Sequence, residues 1–187
     1  MPLLELRSNN FDYNKEVVPF IKNGIIIDTC VVKTLIDGFI ATRISKKPSS
    51  LMPDFELVLA FLERIKLNNK WDKFLVTPQI VSEVFNHFRD DGYYKGGQYK
   101  QILEEVMPLI KSMGEKFAEK NEVLKYIDHV NPIIEMGDFS IFVVADDYCS
   151  RGEKVSVLSD DSEVTSRYMD NPKVLGMDYR TNMLNYN

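Results

Sequence analysis

The sequence predicts an α/β fold, a three-layer α/β/α sandwich around a central, mostly parallel sheet. Three observations predict it. Short apolar runs at residues 24–27, 74–76 and 155–158 read as strands buried on both faces. Longer stretches with apolar residues at helical spacing separate them. Strands and helices therefore alternate, and right-handed crossovers close such a chain into a parallel sheet covered on both sides.

The chain reads as a single domain over 1–187, with an irregular N-terminal arm at 1–22, a core at 24–176 and a helical elaboration around 98–135. Ile25, Ile26 and Ile27 form a β-branched run that ends at Asp28-Thr29. Thr29 is placed to cap a helix with Val31, Val32, Leu35 and Ile36 on one face and Gly38 near its end. Residues 43–50 (RISKKPSS) are basic and turn-rich and read as a loop. Asp54 opens a helical pattern through Leu57, Val58, Ala60, Phe61, Leu62 and Ile65. After the run Phe74, Leu75, Val76 comes Thr77-Pro78, a capping residue followed by proline at the first helical position. Ile80, Val81, Val84, Phe85 and Phe88 continue it as a stripe. Residues 90–97 (DDGYYKGG) form a glycine-rich aromatic loop. A helix is expected from about 98 to about 120, kinked at Pro108, and a further one around 122–130. Gly137-Asp138 starts a helix through Phe139 to Tyr148 that is apolar nearly all round and so expected to be buried. The run 155–158 ends at Ser159-Asp160-Asp161. A helix over 161–168 and a final edge strand at 173–175 complete the reading.

With 187 residues, 44% hydrophobic and 27% charged, the chain can bury a core without disulfides or a structural metal. Its two cysteines, Cys30 and Cys149, exclude a disulfide framework and a zinc spacing, and read as buried reduced thiols. There is no basic segment followed by a long apolar run at the start, and no apolar run near the roughly 20 residues needed to span a bilayer. A cytoplasmic protein without membrane association is expected. The net charge of −5 excludes a broad basic surface for duplex DNA. No glycine-loop nucleotide motif and no GxSxG elbow occurs. Nothing places the two histidines, His87 and His129, together, which argues against a histidine acid–base pair.

The chemistry-bearing pattern is acidic. In parallel sheets the functional crevice lies beyond the C-terminal ends of the strands. Asp28 follows the first strand, Asp160 and Asp161 follow the strand at 155–158, Glu83 lies early in a helix after another strand, and Asp138 opens the buried helix. Carboxylates gathered at one end of a sheet repel one another unless a cation neutralises them, and oxygen donors suit Mg²⁺ or Mn²⁺. Each residue also has an ordinary role open to it. Asp28 and Asp138 make good helix caps, Glu83 sits where a solvated glutamate would, Asp160 suits a cap, and Ser159 suits a turn.

The order of these motifs resembles the PIN domain family. IIIDT at 25–29 is similar to its strand ending in Asp and Ser or Thr; VTPQIVSEVF matches its second motif at Glu83; GDFSIFVVA matches its third at Asp138. VSVLSDD is similar to its fourth, with Ser159 in place of the usual Thr and Asp161 as the acid. The stretch between the second and third motifs is longer than in the compact members. The resemblance implies a metal-dependent endoribonuclease hydrolysing RNA phosphodiesters. It implies Asp28, Asp138 and Asp161 as ligands of one or two Mg²⁺ or Mn²⁺, and Glu83 as a ligand or a water-orienting group. Thr29, Ser159 and Asp160 would support the carboxylates. Arg43, Lys46 and Lys47, with Tyr93, Tyr94 and Lys95, are candidate RNA contacts. Implied partners are RNA, an antitoxin protein if the chain is a toxin, and a second copy in a homodimer. Two other functions fit the same pattern: a non-catalytic RNA- or protein-binding module, and an acidic α/β phosphatase. The latter's usual Asp-x-Asp is absent, since Thr29 and Cys30 follow Asp28.

Overall fold

The computed structural model describes residues 4–5, 12–45, 52–90, 99–127, 136–181 and 183–185. The elements run β1 (Leu4–Glu5), α1 (Tyr13–Glu16), α2 (Val18–Ile21), β2 (Ile25–Ile27), and α3 (Thr29–Phe39), which continues as a π-helix over Ile40–Ser45. Then come α4 (Met52–Arg64), a 3₁₀ turn (Trp71–Lys73), β3 (Phe74–Val76), α5 (Pro78–Asp90), α6 (Tyr99–Ser112) and β4 (Gly114–Glu115). The remainder is α7 (Lys120–Ile127), α8 (Met136–Ser150), β5 (Val155–Ser159), α9 (Ser162–Ser166), β6 (Val174–Asp178) and β7 (Met183–Asn185).

Among the described residues these strands form one sheet in the order β1-β7-β6-β5-β2-β3-β4. The stretch β6-β5-β2-β3-β4 is parallel throughout, and β7 is antiparallel to both β6 and β1. Every residue of β2, β3, β5 and β6 is buried. Burial on both faces requires helices on both faces, and the architecture is the expected α/β/α sandwich. The core is one continuous cluster in which Ile25, Ile26, Ile27, Val157 and Leu158 are fully covered. The apolar helix α8 packs against β2 and β5, with Phe139, Ile141, Phe142, Val144, Ala145 and Tyr148 buried.

Several local expectations are corrected. The arm at 1–22 carries β1, α1 and α2, and Asp12 caps α1 through the Asn14 and Lys15 N–H groups. The helix expected to reach residue 120 stops at Ser112, because Gly114–Glu115 adds to the sheet edge beside β3, pairing Leu75 with Gly114. The strand placed at 173–175 is longer and interior. Val174–Asp178 lies between β5 and β7, so its final residues gain ladder partners that an edge would not supply. Thr77 does cap α5, accepting from the Ile80 N–H at 3.3 Å, and Pro108 lies inside α6. No helix among the described residues is long and apolar enough to cross a membrane.

Candidate active site

β2 pairs with β3 on one side and β5 on the other, so strand order reverses there and the C-terminal ends of β2 and β5 open a crevice. Register decides which side chains meet in it. Ile27 pairs with Leu158, and the ladder extends one bond further, from the Asp28 N–H to the Leu158 carbonyl at 3.1 Å. Asp28 is thereby brought opposite Ser159.

Asp28 is only 6% exposed. Its Oδ1 accepts from the Thr29 N–H at 2.5 Å, so Asp28 caps α3 and Thr29 is its first helical residue. The expectation that Thr29 is the cap is corrected: Asp28 has the extended backbone a cap requires, whereas Thr29 is already helical. Oδ2 of Asp28 accepts from Ser159 Oγ at 2.5 Å and Cys30 Sγ at 3.3 Å. Burial pushes the Asp28 carboxyl up. The hydrogen bonds from Ser159, Cys30 and Thr29 oppose that rise, the Asp160 charge adds to it, and the raised direction wins.

Glu83 lies in the second turn of α5, where the local pattern equally suited a solvated side chain. The fold gives it partners from two other helices. Oε2 accepts from Thr29 Oγ1 at 2.7 Å, and Oε1 accepts from the Gly137 N–H at 2.8 Å. The second bond satisfies one of the amides that the first turn of α8 leaves without an intrahelical acceptor. Glu83 thus ties α3, α5 and α8 together at the crevice. Asp138 was expected to open α8; instead the helix begins at Met136 and Asp138 is its third residue, half-buried. A carboxylate in a first helical turn is favoured by the helix dipole.

At the end of β5 the buried Ser159 hydroxyl donates to Asp28 and accepts from the Asp161 N–H at 2.9 Å. The two aspartates that follow both border the crevice and take different partners. Asp161 is exposed and caps α9, its Oδ1 accepting from the Glu163 N–H at 2.7 Å. Asp160 is half-buried and accepts at Oδ2 from Arg180 Nε at 2.7 Å and Tyr179 Oη at 3.1 Å. Burial pushes the Asp160 carboxyl up, but the hydrogen bonds from Cys30, Arg180 and Tyr179 and the Arg180 charge outweigh it and hold it below the usual carboxylate value. A helix start so close to the strand end explains the difference. The residue just before α9 must cap, which leaves Asp160 to the interior.

Asp28, Thr29, Cys30, Lys33, Glu83, His87, Asp138, Asp160 and Asp161 line one cleft of about 370 Å³. All the acids expected at this end of the sheet are among its lining residues. Cys30, Lys33 and His87 also face the cleft, though the sequence reading gave them no part in it. Cys30 Sγ also lies 3.7 Å from Ser159 Oγ, and burial together with the charges of Asp28 and Asp160 pushes the thiol far up, so it stays a neutral donor. Helical spacing was the available signal for two of them: Lys33 is four residues beyond Thr29 and His87 four beyond Glu83. No local signal pointed to Tyr179 or Arg180, which arrive through β6.

Arg43 is not brought to the cleft. It lies in the π-helical continuation of α3, about 20 Å along the axis from the end that holds Asp28. Its guanidinium stacks 4.4 Å over the Phe39 ring. Lys46, Lys47, Tyr93, Tyr94 and Lys95 lie outside the described residues. The donors in the cleft are hard carboxylate oxygens, the type that suits Mg²⁺ or Mn²⁺. Their spacing is open, and among the described residues no three His, Cys, Asp or Glu side chains stand where they could grip one ion as placed. Comparison of the chain with protein-family models, curated proteins and solved structures gave no match.

Proposed function

We propose that this protein is a metal-dependent endoribonuclease of the PIN type, hydrolysing RNA phosphodiester bonds in the cleft at the ends of β2 and β5. One observation carries the reading: carboxylates from four separate chain segments, Asp28, Glu83, Asp138 and the pair Asp160-Asp161, line that single cleft. Burial costs Asp28 its easy ionisation, and a cation is the natural compensation for such a group. The donor chemistry fits Mg²⁺ or Mn²⁺, and side-chain rotation would have to close the open spacing. Asp28, Asp138 and the Asp160-Asp161 pair would hold the ion. When bound, it supplies acidification of a water and neutralisation of charge on the phosphate. Glu83, fixed by Thr29 and the Gly137 N–H, serves as a ligand or orients the attacking water. Ser159 and Cys30 hold Asp28 in one rotamer.

The test is cleavage of a panel of labelled RNAs in Mn²⁺ by the parent and Asp28→Asn. Cutting by the parent and loss of cutting by the variant, with unchanged circular dichroism, supports the assignment. Equal cutting by both sinks the site. The open carboxylate spacing favours a second reading, a non-catalytic module that binds RNA or protein. Calorimetry separates the two, since the module takes up no Mn²⁺. A toxin is distinguished from a stand-alone processing enzyme by a small protein partner that blocks cutting.

A further inference from the structure

The cleft is acidic, yet its substrate in the nuclease reading is an anion. Something besides a metal must hold the phosphates that flank the one being cut. Two of the residues lining the cleft bear basic side chains, Lys33 on α3 and His87 on α5. We propose that Lys33 and His87 together form a backbone-phosphate grip, which seats a single nucleic-acid strand along the α3–α5 wall of the cleft. The proposal rests on the nuclease reading of this site.

The geometry comes in two rungs. Thr29 Oγ1 donates to Glu83 Oε2 at 2.7 Å and pins the two helices at the cleft floor. Both helices start at C-terminal ends of parallel strands and lead away from them, so advancing four residues moves the same way on each. Lys33 follows Thr29 by four and His87 follows Glu83 by four, which sets a second rung about 6 Å from the first. Adjacent phosphates on an extended strand are separated by a distance of that order.

Lys33 is held rather than mobile. Its Nζ lies 3.5 Å from Oδ2 of Asp37, one turn further on, whose side chain is only 2% exposed. The lysine side chain keeps 26% exposure and lines the cleft. An anchored ammonium loses less rotamer freedom when it meets an anion. The net charge of −5 supplies no overall excess of positive charge to draw RNA to the chain.

The experiment measures binding of a fluorescein-labelled 12-nucleotide single-stranded RNA of mixed sequence to the Asp28→Asn protein, by anisotropy across a KCl series in Mn²⁺. Lys33→Gln added to that protein should weaken binding about five-fold at 0.1 M salt and lower the slope of log affinity against log salt by about 0.7, one phosphate contact's worth. Lys33→Arg should keep the slope. His87→Ala should weaken binding several-fold, and the double variant more than either. Lys70→Gln, exposed at the far end of the sheet, should change nothing. Tight RNA binding with the parental slope in Lys33→Gln, or an equal loss in Lys70→Gln, overturns the grip and leaves the nuclease reading standing. No RNA binding by the Asp28→Asn protein, together with no cutting by the parent, overturns both.

Discussion

Gly137→Ala is a substitution the fold should tolerate and the site should not. A Cβ built at Gly137 would lie 2.4 Å from Glu83 Oε2, whereas ordinary contact begins at 3.4 Å. The obstructing atom is the far end of a flexible side chain, so Glu83 retreats by about 1 Å and the backbone stays. That displacement takes the bonds from Thr29 Oγ1 (2.7 Å) and the Gly137 N–H (2.8 Å) past the distance at which either counts as a hydrogen bond. Water reaches a half-buried carboxylate, so losing both costs about 1–2 kcal/mol. The alanine returns up to about 1 kcal/mol in helix preference. The net loss is about 0–2 kcal/mol, a fall in Tm of at most about 8 °C for a domain of this size. Activity is more sensitive, because a catalytic group misplaced by about 1 Å can cost on the order of 100-fold. The assay pairs a thermal melt with initial rates of RNA cleavage in Mn²⁺. A folded Gly137→Ala protein that cuts at the parental rate would refute the claim that the Thr29–Glu83–Gly137 bridge arms the site.

Three further outcomes are expected. Asp28 has its folded value raised by burial, so its contribution to stability is present at pH below the ordinary carboxylate value and is lost as pH rises through the raised one. Between pH 4 and pH 7 the metal-free parent should therefore lose more of its Tm than Asp28→Asn does. Mn²⁺ should raise the parent's Tm and leave the variant's unmoved; the same melting response in both would remove Asp28 from the metal site. Ser159→Ala deletes a hydrogen bond that lowers the Asp28 carboxyl and leaves the Asp161 N–H without that acceptor. Cleavage should then need a higher pH to reach its plateau, with stability down by about 1–3 kcal/mol; an unchanged pH profile would show that Asp28 ionisation does not limit the reaction. Gly176→Ala in β6 drives a Cβ to 2.3 Å from the Thr165 carbonyl oxygen, a backbone atom that cannot swing aside. Urea melts should show a loss of about 1–3 kcal/mol or more, and parental stability would contradict the close approach of α9 to the sheet.

The sequence carried the frame of this protein and the types of residue at its centre. Runs such as Ile25-Ile26-Ile27 can be satisfied only inside a covered parallel sheet, and the acids after them mark the strand ends, because both signals are local. Tertiary structure decided how those acids are used. Pairing of Ile27 with Leu158 sets Ser159 against Asp28, and no local pattern encodes register across more than a hundred residues. Glu83 suited solvent until α8 brought an unsatisfied N–H to it. Sequence spacing favoured Asp161 over its neighbour Asp160 as the acid of the site; the start of α9 made Asp161 a cap, Arg180 and Tyr179, arriving through β6, engaged Asp160, and both line the cleft. Gly114–Glu115 looked like the tail of a helix and became a strand because β3 offered an open edge. Periodicity and chain punctuation are properties of neighbouring residues, so they can be read from the chain; partners that meet only when distant segments pack depend on the whole fold.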